Sequence, residues 1–179
     1  PEALLAFREL RNSMAHLRSL CDELGHSLTL SLPRWSDIRQ GTMARAMELR
    51  EVLGITVEEQ IKWPDEGKAF DGWRDALFDR GVLVQVFPVA VEELRAFSVL
   101  DHGLGGVGIS SRDSRRAQIF SLFHEVAHVG LRAPSASGRV FRQATNPKAQ
   151  RIEPACDAFA AAFLLPPTDR HVAGAMAEL

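Results

Sequence analysis

Apolar residues at Phe7, Leu10, Met14, Leu17, Cys21 and Leu24 recur at spacings of three and four, which predicts an amphipathic helix that stops at Gly25. The stripe is too short for a coiled-coil seam and reads as a packing face. A second helix is predicted through Met43, Met47, Leu49 and Leu53, with Gly54 as its stop. Thr56 and Glu59 form a T-x-x-E capping box that opens a short helix, which Trp63-Pro64 ends. Phe70, Trp73 and Leu77 mark the face of the next helix, closed by Gly81. The pattern then changes. VLVQVF at 82–87 reads as a buried strand, and LRAFSVL and VGIS read as two more, separated by the glycine-rich DHGLGG. From Ser114 to Leu131 the helical period returns, with Ile119, Phe120, Phe123, Val126 and Ala127 apolar. A last helix starts near Glu153, and Pro166-Pro167 stops it. This order predicts an α+β fold that is mainly helical, with a small three-stranded sheet. Residues 1–64 are expected to pack as a helical region on a core formed by 65–179, the whole being one compact unit.

Two patterns look functional and are rejected on context. LREVLGITVEEQ resembles the turn of a helix-turn-helix, but a Trp-Pro break follows where a recognition helix is needed. Gly103, Gly105 and Gly108 spell G-x-G-x-x-G, yet a strand follows them and not the helix N-terminus that a dinucleotide phosphate requires.

With 179 residues, 46% hydrophobic and 25% charged, the chain can bury a full core. A formal net charge of -2 supplies no basic field, so direct nucleic-acid binding is not expected. Cys21 and Cys156 form neither a CxxC pair nor a disulfide framework. They fit a reducing, cytoplasmic setting, and no apolar run reaches the roughly 20 residues that span a bilayer.

The chemistry concentrates in FHEVAH, residues 123–128. His124 and His128 lie one turn apart on one helix face, the spacing at which two imidazoles reach a single zinc ion at roughly 2.0–2.1 Å. Glu125 is rotated by about 100° from His124, so it flanks such an ion and can take a proton from water activated there. A catalytic zinc site usually has three protein ligands, so a third is required downstream. In RIEPACDAFAAAFLLPP, Glu153 can supply it, and Asp157, one turn along, can accept the second N–H of a ligating histidine. Pro154 is tolerated because it falls in the first helical turn. Without a metal, Glu153 and Asp157 would simply be an acidic helix start favoured by the macrodipole.

SRRAQIFSLFHEVAHVGL followed by IEPACDAFAAAFLLP resembles the ImmA/IrrE family of metallopeptidases, and WRDALFDRGVLVQVF and RAFSVLDHGLGGVGISS are similar to the strands that precede its active-site helix. The resemblance covers about residues 70–167. It implies a zincin-like fold and a gluzincin-type site, with His124, His128 and Glu153 as ligands of zinc, or of manganese in its place, and Glu125 as catalytic base. It also implies a protein substrate, typically a helix-turn-helix repressor encoded nearby, in a stress-response or mobile-element switch. A DNA-binding domain, which many members carry ahead of the peptidase, would lie before Pro1.

Zincins often stabilise the oxyanion with a tyrosine, histidine or arginine, and this chain has no tyrosine. His102 and His171 are the candidates. Val107, Gly108, Ile109 and Ser110 are expected to form an edge strand to which an extended substrate peptide adds. The stretch from Val129 to Ile152 carries Arg132, Arg139, Arg142, Lys148 and Arg151 without one acid, so it could guide an acidic substrate segment. A different class of function competes with hydrolysis: a regulatory module, metal sensor or toxin–antitoxin-type partner that holds metal without cutting. It leaves Glu125 without a use.

Overall fold

A computed structural model describes residues 2–133, 135–137 and 152–166. Among them are six helices and four strands: α1 (Glu2–Glu23), α2 (Thr42–Leu53), α3 (Val57–Gln60), α4 (Glu66–Phe78), β1 (Val82–Phe87), β2 (Ala96–Asp101), β3 (Leu104–Ser110), α5 (Arg115–Gly130), β4 (Ala136–Ser137) and α6 (Glu153–Leu164). The fold is α+β, with three full strands packed on α5 and a two-residue fourth strand at one side. Local signals work as their chemistry suggests. Thr56 and Glu59 make the reciprocal capping box of α3, and Asp65 caps α4 by accepting from the Lys68 amide at 2.8 Å. At only four residues, α3 is no recognition helix.

The sheet order is β1-β3-β2-β4, with β1 parallel and β2 antiparallel to β3. Val107–Ser110 is therefore not an edge: Val107 pairs with Val84 on one side and Ser98 on the other, and Ile109 with Val86 and Ala96. The expectation of a substrate-accepting edge strand at 107–110 fails because β3 is the fully buried central strand. Its glycines explain how it can be central. Alternation places Leu104, Gly106 and Gly108 toward α1 and Gly105, Val107 and Ile109 toward α5. A methyl on Gly106 would come within 2.6 Å of the Met14 sulfur, and one on Gly108 would collide with the Phe97 ring. The G-x-G-x-x-G run thus serves close packing. The β2–β3 turn is a two-residue hairpin in which His102 (φ 52°) and Gly103 (φ 77°) are both left-handed, the conformation that matches strand twist.

Two apolar clusters lie on opposite faces of the sheet. On one, Ala3, Ala6, Leu10 and Met14 of α1 meet Phe87, Phe97, Val99 and Leu104. The buried ridge of α1 ends at Met14; Cys21 is half-buried and Leu24 exposed, so the last part of the predicted stripe lies beyond the sheet. On the other face, α5 is covered by α4 and α6, and α2 packs on α6. Trp73 stands edge-on to Phe123 and Phe163 at 5.1 Å from each, and Phe123 stacks on Phe163 at 4.0 Å. These rings fix α6 beside α5, which brings the start of α6 to the histidine face.

Candidate metal centre

Helix α5 begins at Ser114, whose hydroxyl accepts from the Ala117 amide, and its residues 121–130 are all buried. That burial takes His124, Glu125 and His128 out of water on a rigid element. Helix α6 starts without a side-chain cap, and Pro154 sits in its first turn, so Glu153 lies where the unpaired amides favour an acid.

The ligand atoms of His124, His128 and Glu153 all lie within 4.8 Å of one another. His124 Nε2 is 3.1 Å from Glu153 Oε2, and His128 Nε2 is 3.4 Å from Glu153 Oε1. Ligands at roughly 2.0–2.1 Å around a tetrahedral ion stand about 3.3 Å apart, and the two nitrogen–oxygen separations are of that size. The donor chemistry fits as well. His128 Nε2 is buried and makes no hydrogen bond among the described residues, while its Nδ1 lies 3.1 Å from the Ala133 carbonyl. With Nδ1–H donating to that carbonyl, Nε2 is left facing Glu153, where either a proton or a metal ion can sit between them. A buried nitrogen without a partner is costly unless an ion or proton meets it. On the other ring, His124 Nδ1 is 2.8 Å from Asp157 Oδ1, which fixes its tautomer and aim.

Between these protein groups alone the electrostatics are those of a tight cation–anion cluster. Burial disfavours a charged His124, but the Glu153 hydrogen bond, the Glu125 charge and the Asp157 hydrogen bond outweigh it and raise its pKa to about 9. Burial pushes the Glu153 carboxyl upward, yet the hydrogen bond from His124 and the charge of the two imidazoles beside it bring it down to about 2. A proton on His124 Nε2 therefore stands where a divalent ion would compete for the same lone pair. Burial beside Glu153, Glu125 and Asp157 pushes the Cys156 thiol pKa well up, so this cysteine is an inert packing residue. Glu125 is fully buried, and the Ser135 hydroxyl donates to its Oε2 at 2.8 Å.

Residues 79–173, just over half of the chain, match the family described as the IrrE N-terminal-like domain, peptidase M78. The chain belongs to this family. Comparison with curated proteins and with solved structures finds no significant match. The peptidase M78 assignment makes this a metallopeptidase domain with His124, His128 and Glu153 as its candidate metal site. No helix among the described residues is long and apolar enough to cross a membrane.

The other expected residues fare differently. His102 sits in the exposed β2–β3 hairpin, 3.5 Å from Asp101, and not with the histidine–glutamate group. His171, Arg139, Arg142, Lys148 and Arg151 lie outside the described residues. Arg132 is tied to the backbone, donating to Val129 O at 2.6 Å and Leu32 O at 3.3 Å, so its guanidinium is engaged within the fold. Sequence reading missed three supports of the site. Ser135 and the Ala133 carbonyl follow α5 in a stretch with no periodic signal. Arg50 was legible in principle, because it shares a helical face with Ala46 and Leu53. Its guanidinium donates to Phe163 O at 3.1 Å, to Ile55 O at 2.8 Å and to Gln60 Oε1, and Gln60 Nε2 donates to Leu164 O at 3.1 Å. Together they satisfy carbonyls at the C-terminal end of α6.

Proposed function

We propose that this peptidase M78 domain is a zinc-dependent endopeptidase that cuts a protein substrate in a regulatory setting, the substrate being a helix-turn-helix repressor encoded nearby. The observation that carries this reading is the convergence of three ligand atoms within 4.8 Å beside a buried glutamate. His124, His128 and Glu153 would hold the ion, with manganese as the alternative to zinc. Bound there, a divalent metal supplies Lewis-acid polarisation of a carbonyl and lowers the pKa of water. The chain's own residues do the rest. Asp157 holds His124 and the Ala133 carbonyl holds His128, so both imidazoles keep one orientation through the reaction. Glu125 accepts a proton from the attacking water and returns it to the leaving amine, a general base and then a general acid. Substrate would be a protein in extended form, met in the cytoplasm where Cys21 and Cys156 stay reduced, as both are free.

Co-expression of the full-length protein with the repressor encoded beside its gene tests this, with Glu125→Gln as the comparison. Loss of intact repressor only with the unsubstituted protein is expected. Equal survival of the repressor in both would favour a metal-holding binding module.

A further inference from the structure

The chain leaving α5 does more than connect. After Gly130 it reverses through Arg132, whose φ of 55° is left-handed, and the Ala133 amide donates back to the His128 carbonyl at 3.0 Å. It then runs along β2, where Phe97 pairs with Ala136 and Ala96 with Ser137. Ser135 is gripped from both sides of its peptide unit by one residue of β2. The Ser98 amide donates to the Ser135 carbonyl at 2.8 Å, and the Ser135 amide donates to the Ser98 hydroxyl at 3.1 Å. Ser98 is buried, and strand alternation turns it to the α5 face, since its neighbours Phe97 and Val99 join the α1-side cluster. The backbone of Ser135 is thus fixed before its side chain is considered, and that side chain donates to Glu125 Oε2 at 2.8 Å.

We propose that Ser135, held by Ser98, is a positioning residue that sets the plane of the Glu125 carboxylate. A carboxylate on a flexible side chain has a broad terminal torsion, and a hydroxyl held against Oε2 restricts that torsion. The donor is aimed by strand pairing and not by the helix that carries Glu125, so the base is referenced to the sheet. This inference rests on reading Glu125 as the base.

The test uses the full chain loaded with cobalt(II), whose visible spectrum reports ligand binding. Acetohydroxamate is the probe, because its N–OH proton needs a carboxylate acceptor beside the metal; acetate, which has no such proton, is the control. Ser135→Ala is expected to weaken hydroxamate binding about ten-fold, the effect of one hydrogen bond to a charged group. Cobalt uptake and acetate binding should stay within about two-fold in the same variant. Ser135→Thr, which keeps the hydroxyl, should bind hydroxamate within about two-fold of the unsubstituted protein, and Ser98→Ala should show a smaller loss of the same kind. In a Glu125→Gln background, Ser135→Ala should add nothing. Unchanged hydroxamate binding in Ser135→Ala, alongside a loss in Glu125→Gln, would overturn the role of Ser135 alone. Equal losses for acetate and hydroxamate would overturn it in favour of general site disruption. No effect of Glu125→Gln would overturn the base assignment, and the positioning role with it.

Discussion

Asp157 offers a clean perturbation of the metal centre, because it touches the site through one atom. Its Oδ1 lies 2.8 Å from His124 Nδ1, and its side chain is 59% exposed, so Asp157→Ala removes the partner without opening the core. Partners of this kind change metal affinity by about 10- to 100-fold when removed. Solvent screening of an exposed carboxylate argues for the lower end, about ten-fold or 1.4 kcal/mol. The proton complicates the measurement in a definite direction. Asp157 also helps raise the His124 pKa to about 9, so its removal weakens the competing proton along with the metal. Below pH 9 the two effects partly cancel; above it His124 is deprotonated in both proteins and the full loss appears. Competition against a zinc-binding chromophore at pH 7 and at pH 9.5 is the assay, with thermal unfolding as a control expected to move little. Unchanged or tighter zinc binding at the higher pH would refute the idea that Asp157 aims the His124 ring.

Three further outcomes are expected. At pH 7, calorimetry in buffers of different ionisation enthalpy should find at least about one proton released per zinc bound, because the His124 pKa of about 9 keeps that ring protonated until the metal arrives; affinity accordingly rises with pH up to about 9. Arg50→Met should destabilise the fold by about 2–4 kcal/mol, since it strands the Phe163 and Ile55 carbonyls and the Gln60 side chain, and lower Tm by on the order of 5–15 °C in a thermal melt. Gly108→Ala should cost about 1–3 kcal/mol in denaturant unfolding, as the added methyl meets the Phe97 ring; a neutral result would mean that ring can move aside.

How far the fold could be read beforehand depended on whether a residue's partner was local. Capping at Thr56, the apolar face of α4 and the helical spacing of His124 and His128 are encoded within a few positions, and each forms as its sequence predicts. Strand order is not local. VGIS looks like any short strand, and only pairing with β1, beyond a crossover, makes it central. The glycines of β3 carried a signal that was open to two readings, phosphate binding or close packing, and the packing partners Met14 and Phe97 lie far away in sequence. The metal site was legible because its chemistry restricts residue types severely. Its supports were not: Ala133 acts through a backbone carbonyl that any residue possesses, and Ser135 is one of two serines in its stretch, with nothing local to tell them apart.

The central claim is that His124, His128 and Glu153 share one ion. Zinc K-edge X-ray absorption on the loaded protein addresses it directly, in parallel with Glu153→Ala. The predicted result is one zinc per chain with two imidazole ligands and oxygen donors at roughly 2.0–2.1 Å, the carboxylate contribution vanishing in the variant. A spectrum without imidazole scattering, or one that the Glu153 substitution leaves unchanged, would contradict it.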